Sequence, residues 1–284
     1  MRLFRTLFAT RSSFAPRRFS TFSPTRMIIQ PVPCFSDNYA YLLLDEKTQK
    51  AAIVDPAEPE PVLKTLKDRF PEYTLAAILT THHHGDHAGG NNKVLQQHDV
   101  PCYGGSKQVQ GVTNIVDSGS EPIHLGSLEI KPLSTGGHTL DHICYYVADD
   151  AHEQKAVFTG DCIFSSGCGR FFEGTPSNMW NAISTIKALP EATRVYFGHE
   201  YTRSNLKFAV KIEPDNKALQ EKVAWAEKEQ CTTPSTIKNE KETNPFFRAD
   251  EPSVRERVMP HNPKASAVEV LATIRQMKDG TYKQ

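Results

Sequence analysis

The chain has 284 residues, with 33 basic and 33 acidic side chains and a formal net charge of zero. With 38% hydrophobic and 23% charged residues it has the composition of a soluble globular protein, long enough for one large domain or one domain with a smaller appendage. No apolar run approaches the roughly 20 residues that a membrane span needs, so no membrane insertion is expected.

The charge is unevenly placed. Residues 1–26, "MRLFRTLFATRSSFAPRRFSTFSPTR", carry six arginines (Arg2, Arg5, Arg11, Arg17, Arg18, Arg26), no lysine and no acid. An Arg- and Ser/Thr-rich, acid-free, mildly amphipathic segment without a continuous apolar stretch has the composition of a mitochondrial transit peptide. "RRFS" (17–20) resembles a matrix-processing site. A mitochondrial-matrix location is therefore expected, with a cytosolic form if initiation occurs at Met27. What remains holds 27 basic against 33 acidic residues, a net of about −6. That balance, with no Lys/Arg-rich patch, offers nothing to phosphates, and no nucleic-acid partner is expected.

From Met27 to about Glu200, short strand-like and helical stretches alternate. Met27 opens the first strand-like run. "YAYLLLD" (39–45) and "KAAIVDP" (50–56) predict strands. "EPVLKTLKDRF" (60–70) has helical spacing at Val62, Leu63, Leu66 and Phe70. "LAAILTT" (75–81) predicts a buried strand, and a helix is expected around 89–98. Further strands are predicted at 127–134, 142–148, 155–161 and 193–199. A helix fits 177–189, with Ser177 as its cap. Beyond Tyr201 the strand signal fades. "SNLKFAVKI", "NKALQEKVAWAEKEQ" and "SAVEVLATIRQMK" carry helical periodicity, separated by a polar, Pro-containing stretch (231–253) that predicts an ordered loop. The change of texture suggests two units with a boundary near residue 200. The six cysteines form no CxxC pair and are expected to be free thiols.

"LAAILTT" leads straight into "HHHGDH" (82–87), in which His82, His84, Asp86 and His87 form an H-x-H-x-D-H pattern. Mixed imidazole and carboxylate donors suit Zn, Fe or Mn. In extended backbone His82 and His84 point the same way, and a turn at Gly85 swings Asp86 and His87 toward a second position. Four ligands from so short a loop close poorly around one ion; two neighbouring metals are the more economical geometry. His138 in "STGGHT", Asp161 in "FTGD" and His199 in "YFGHE" each sit beside glycine at the end of an apolar run. Singly such residues are ordinary. Together they are strand-end residues able to converge on one edge of a sandwich.

This ordered set, spread over 27–200, resembles the metallo-β-lactamase superfamily. The resemblance implies an α/β fold, a four-layer αββα sandwich with a dinuclear site on one edge, followed here by a smaller C-terminal α-helical domain over 201–284. It implies that His82, His84 and His138 hold one metal, that Asp86, His87 and His199 hold the other, and that Asp161 bridges them. His83 matches no ligand position. A closer resemblance is to the glyoxalase II, or hydroxyacylglutathione hydrolase, family, carried by "SDNYAYLL", "VDPAEPEPV", "TTHHHGDHAGGN", "AVFTGD", "GCGRFFEGT", "FGHEYTRSNLKFA", "PSTI", "NPFFR" and "RQMKDG".

The family resemblance implies a monomeric hydrolase acting on a small-molecule glutathione thioester. S-D-lactoylglutathione would be split into D-lactate and glutathione by a hydroxide shared between two divalent metals, with zinc expected and iron or manganese as alternatives. Asp86 and Asp161 are the nearby proton acceptors. Arg170 matches the basic position that the family uses for the tripeptide, and Phe172 a position that contacts it. Arg275 and Lys278, three apart on one face of a predicted helix, are expected to clamp a glutathione carboxylate, and Tyr201, next but one after His199, to offer substrate a hydroxyl. Gly85 replaces a bulky aromatic of many members, which predicts a looser loop. Phe172 replaces a tyrosine, and Cys162 follows Asp161 where threonine is common. A persulfide-dioxygenase-like enzyme would need one iron and not the full set of seven. A non-catalytic protein with structural zinc would be expected to draw on cysteines, which here lie outside the motif.

Overall fold

The computed structural model describes residues 26–149 and 153–282. The expected leader (1–26) lies, except for Arg26, outside the described residues. Strands β1 (Met27–Cys34), β2 (Asn38–Asp45) and β3 (Lys50–Val54) form an antiparallel meander. Helix α1 (Pro59–Arg69) crosses over to β4 (Thr74–Leu79), which runs parallel to β3. A single helical turn α2 (Gly85–Ala88) and the short α3 (Asn91–Leu95) follow, and then β5 (Cys102–Gly104) and β6 (Asn114–Ile115) complete a six-stranded sheet in sequence order.

The second sheet starts with β7 (Ile123–Leu125), β8 (Leu128–Ser134), β9 (Ile143–Asp149) and β10 (Gln154–Gly160), all antiparallel neighbours. A small ribbon of β11 (Ile163–Phe164) and β12 (Gly167–Cys168) leads to α4 (Pro176–Lys187) and then to β13 (Arg194–Phe197), parallel to β10. After α5 (Thr202–Ile212) and α6 (Lys217–Ala226) the chain returns as β14 (Ser235–Thr236), the edge strand beside β13. It ends with α7 (Ile237–Thr243), α8 (Pro252–Val258) and α9 (Ala267–Asp279).

The period-2 geometry of strands explains the layering. In β2, Tyr41 and Leu43 face the second sheet, where they meet Ile130, Tyr145, Phe158 and Phe197. Leu42 and Leu44 face the other way and pack with Val62 and Leu66 of α1 and Val94 of α3. The outer face of the second sheet, with Cys144, Val157 and Val195, is covered by Ile183 and Ile186 of α4 and by Phe246, Phe247, Leu271 and Ile274 of the tail. The result is four layers, helices, sheet, sheet, helices, as a buried-on-both-sides strand pattern requires.

Two local expectations change. Helix α4 is capped by Thr175, not Ser177: the Thr175 hydroxyl accepts from Asn178 N, the Asn178 side chain accepts from Thr175 N, and Pro176 occupies the first turn. The stretch 231–253, expected to be loop, contains β14 and α7 because Thr236 caps α7 by accepting from Asn239 N, and Ser235 pairs with Val195. The six cysteines are free, five of them buried.

The tail is anchored by a buried polar knot. Glu240 of α7 accepts from Lys222 Nζ of α6 at 2.8 Å, from Ser166 N at 2.8 Å and from Asn244 Nδ2 at 2.9 Å. Lys222 is 6% and Glu240 0% exposed, and burial pulls the lysine down from its ordinary pKa. A buried pair of this kind is costly to break from one side, because the remaining charge has no water to turn to. Lys222→Ala is expected to destabilise the fold by about 3–5 kcal/mol, read from the shift of the urea unfolding midpoint.

Candidate metal centre

Strands β8, β10 and β13 point the same way, so the residues after them emerge at one edge of the sandwich, beside the loop that follows β4. That edge carries all seven residues singled out above. His84 caps α2, whose hydrogen bonds His87 N to His84 O (3.0 Å), Ala88 N to His84 O (2.8 Å) and Gly89 N to Gly85 O (2.9 Å) close the expected turn. Gly85 does not loosen it. Its backbone is helical, and an added Cβ would meet nothing within 4 Å.

The donor atoms gather in two groups. His84 Nδ1 lies 3.1 Å from both His82 Nε2 and His138 Nε2. On the other side, His199 Nε2 lies 3.3 Å from His87 Nε2 and 3.4 Å from Asp86 Oδ2. Asp161 stands between them: Oδ1 is 3.2 Å from His87 Nε2 and 3.5 Å from His199 Nε2, and Oδ2 is 3.5 Å from His138 Nε2. Two glycines make the approach possible. A Cβ at Gly198 would come within 2.5 Å of Asp161 Oδ1, and one at Gly160, where φ is +43°, would strike Thr81 Oγ1 at 2.4 Å.

The hydrogen bonds behind the cluster decide which nitrogens face it. His138 Nδ1 donates to Arg170 O at 2.8 Å, His199 Nδ1 to Asp37 Oδ1 at 2.7 Å and His87 Nδ1 to Asp55 Oδ2 at 2.9 Å. Each acceptor holds the proton on the outer nitrogen and leaves the inner lone pair free, the arrangement found behind metal-bound histidines. Asp161 Oδ1 is buried without an aligned hydrogen-bond donor. Lone pairs converging on shared points and an orphaned buried carboxylate oxygen fit divalent cations.

The electrostatics agree. Burial, with nearby His87, keeps His82 well below its ordinary pKa, and burial brings His138 down to about 4. Burial also works against charge on His87 and His199. Asp161 and Asp55 nevertheless raise His87 well above its ordinary value, and Asp161, Asp86 and Asp37 push His199 up to about 10. In the metal-free protein, protons occupy the positive role beside Asp161 and Asp86, and metal loading must displace them.

Beside the cluster opens a cavity of about 400 Å³, lined by the donors His138 and Asp161 together with Arg170, Arg275 and Lys278. Phe172, 63% exposed, sets its ring edge on His84 and His138 (centroids 5.7 and 5.2 Å). Tyr201 stacks on His199 at 4.7 Å and 8°. Arg275 is held by Asp279 (Nη2 to Oδ1 2.7 Å, Nε to Oδ2 3.0 Å) and donates to Cys168 O, while Lys278 donates to Asn205 Oδ1. All five residues expected to meet the tripeptide thus line one cavity.

Residues 35–199 match the family model described as metallo-beta-lactamase superfamily, and residues 200–281 match the one described as hydroxyacylglutathione hydrolase C-terminus. A curated protein of Arabidopsis thaliana, "Hydroxyacylglutathione hydrolase cytoplasmic", is 44% identical over 260 residues, covering 89% of this chain and 98% of that one. The chain belongs to the hydroxyacylglutathione hydrolase family. A second member, from Dictyostelium discoideum, is 40% identical over 89% of this chain and 99% of its own length. Among solved structures, ETHE1 from Myxococcus xanthus (TM-score 0.62, 23% identical, covering 90% of this chain and 100% of that one) shares the fold. So does TTHA1623 in a di-iron-bound form (TM-score 0.55, 22% identical, 76% and 99% covered). Family membership and the two donor groups make this edge a dinuclear metal site.

Sequence reasoning missed the residues behind the donors. Asp55, in "VDP", has φ +50° and accepts from Thr81 N and Thr81 Oγ1, both at 2.7 Å, as well as from His87. Asn38 Nδ2 donates to Asp86 O at 2.9 Å and Oδ2 at 3.2 Å. Asp-Pro closing an apolar strand was the available signal for Asp55. Asp55→Asn puts an amide NH₂ against one of these donors, and is expected to weaken metal binding about 10–100-fold in a chelator-competition titration.

Proposed function

We propose that the chain is a thioester hydrolase that splits S-D-lactoylglutathione and related S-2-hydroxyacylglutathiones into the hydroxy acid and glutathione, the second step of methylglyoxal detoxification. The observation that carries this reading is the cavity whose wall combines metal donors, His138 and Asp161, with three cationic side chains, Arg170, Arg275 and Lys278. Its dimensions and charge suit a flexible anionic tripeptide whose acyl end reaches the metals. The family membership of the chain points to the same substrate class.

In this reading His82, His84 and His138 would hold one ion, Asp86, His87 and His199 would hold the second, and Asp161, which lies between the two groups, would be shared by both. Two metal ions held there supply a Lewis acid for the thioester carbonyl and a nucleophile drawn from water at neutral pH. Zinc is the proposed metal, with iron and manganese compatible with the same donors.

The protein's own residues do the rest. Arg170 is exposed at the cavity wall, with Nε 3.4 Å from Asp279 Oδ1, and meets a glutathione carboxylate together with Lys278. Arg275, locked by Asp279 and the Cys168 carbonyl, contributes fixed charge and wall shape. Phe172 and Tyr201 flank the donors and shield the reacting bond from bulk water. Asp86, with a side chain 45% exposed at the rim, and Asp161 are the carboxylates that would accept a proton from water activated at this site. The departing thiolate is stable enough, with a thiol pKa of about 8.5, to leave without a dedicated acid. Residues 27–200 supply the metal machinery and residues 201–284 the helical wall of the substrate cavity. The leader's composition supports delivery to the mitochondrial matrix.

The test is release of free thiol from S-D-lactoylglutathione, paired with elemental analysis. Two metals per chain with no thiol release would sink the reading. Asp161→Ala is expected to reduce turnover to background, and near-normal kcat in that variant would overturn its bridging role.

Burial and the Arg275 guanidinium push Lys278 down to about 8. Its ammonium is present below that pH and lost above it. KM is therefore expected to stay flat to about pH 8 and to rise beyond it, and Lys278→Arg is expected to flatten the rise. The double variant Arg275→Ala, Lys278→Ala raises KM at every pH.

A further inference from the structure

His83 lies inside the metal motif, yet its ring points away from the donor cluster. Nδ1 is 3.0 Å from Asp141 Oδ1, and Nε2 is 3.5 Å from Glu173 Oε1. Asp141 also accepts from Thr139 Oγ1 at 2.7 Å and Ser106 Oγ at 3.0 Å, so its carboxylate is pinned independently of the histidine. Glu173 Oε2 accepts from Leu140 N at 2.8 Å. The three side chains thus join the 82–87 loop, the loop around His138, and the segment after β12.

That third segment is the one that carries Arg170 and Phe172 into the cavity. Its backbone already hangs on His138: Phe172 N and Glu173 N donate to His138 O at 3.1 and 3.3 Å, and Arg170 O accepts from the His138 ring. All three bonds run to one residue, His138, and beyond them Arg170 Nε lies 3.4 Å from Asp279 Oδ1. The Glu173 carboxylate, reaching Leu140 on one side and His83 on the other, adds a separate line of attachment at the far end of the segment. Phe172 is then held with its edge on both His84 and His138.

We infer that Glu173, His83 and Asp141 form a bracket that positions the 170–173 segment over the metal centre, so that His83 and Glu173 are positioning residues for substrate binding. None of the three residues lines the cavity, and the bracket meets the donors only where the His83 ring sets its edge on His84, with centroids 5.0 Å apart. It acts through Phe172 and Arg170, and rests on the assignment of the cavity to a glutathione thioester. Glu173 is exposed, so its replacement leaves the core intact.

The experiment measures KM, kcat and metal content for the full chain carrying Glu173→Ala, Glu173→Gln, His83→Ala and the double alanine variant, with S-D-lactoylglutathione as substrate. Glu173→Ala is expected to raise KM about tenfold, the equivalent of one hydrogen bond to a charged group. Its kcat should stay within about twofold and its metal content should match the wild type, since a misplaced wall alters binding before chemistry. Glu173→Gln keeps an acceptor for Leu140 N and sets an amide NH₂ against the His83 Nε2 lone pair, so the contact is held with the roles reversed, and KM returns to near the wild-type value. The double variant should be no worse than Glu173→Ala, because both substitutions open the same bracket. An unchanged KM in Glu173→Ala overturns the inference, as does loss of metal from that variant. A wild-type chain that releases no thiol sinks the substrate assignment instead, so the two failures are distinguishable.

Discussion

Seven side chains with lone pairs or negative charge are held within hydrogen-bond distances of one another at the edge of a dry sandwich, and the rest of the molecule is arranged around that crowding. Nitrogen lone pairs at 3.1–3.3 Å repel unless something positive sits between them. The carboxylates of Asp161, Asp55, Asp86 and Asp37 raise His87 and His199 above their ordinary pKa, the sign expected of a place that favours positive charge. Such a cluster survives only where the backbone is too rigid to relax away from it. Two sheets packed through Tyr41, Tyr145, Phe158 and Phe197 supply that rigidity.

Rigidity alone does not orient a ring. The outer nitrogens of His87, His138 and His199 are each committed to a fixed acceptor, and two of those acceptors are carboxylates brought from the first sheet: Asp55 at the end of β3 and Asp37 just before β2. Asp55 does more than orient His87. By taking both the amide and the hydroxyl of Thr81 it ties the start of the donor loop to the neighbouring strand, at the cost of a left-handed backbone conformation. Strain of that size persists because three hydrogen bonds determine the geometry. The site is thus built from the contact between the two sheets, and neither sheet would place the donors by itself.

This explains what was legible beforehand. Donor residues announce themselves by chemistry and position: histidines and aspartates beside glycine at the ends of apolar runs. The long strands and the helices α1, α5, α6 and α9 were legible from the period of their apolar residues, because both periodicities are local properties. Asp37 and Asn38 were not, and Asp55 showed only as an Asp-Pro closing a strand, since a carboxylate that accepts from, or an amide that donates to, a residue 32, 162 or 48 positions away is fixed by the fold and not by its neighbours in sequence. The two-residue strand β14 was missed for the same reason: its existence depends on the free edge of β13, not on its own sequence. Cap choice at α4 failed more narrowly, because Thr175 and Ser177 are both good caps and Pro176 decides between them.

The helical tail is less separable than its texture implies. It contributes an edge strand to the second sheet, and Phe246, Phe247, Leu271 and Ile274 lie in the same buried cluster as Val157 and Val195. This has a consequence for the cavity. Arg275 and Lys278 are one helical turn apart on α9, and two cations so close in a partly buried wall would repel were there nothing between them. Asp279 takes both forks of the Arg275 guanidinium, leaving the guanidinium paired, while Lys278 meets the uncharged Asn205. That pairing offsets only part of the repulsion, since Arg275 still helps burial to lower the Lys278 pKa to about 8. Arg170 and Arg275 thus share one carboxylate, Asp279, and the charge of the two guanidiniums is only partly balanced in the wall that lines the cavity.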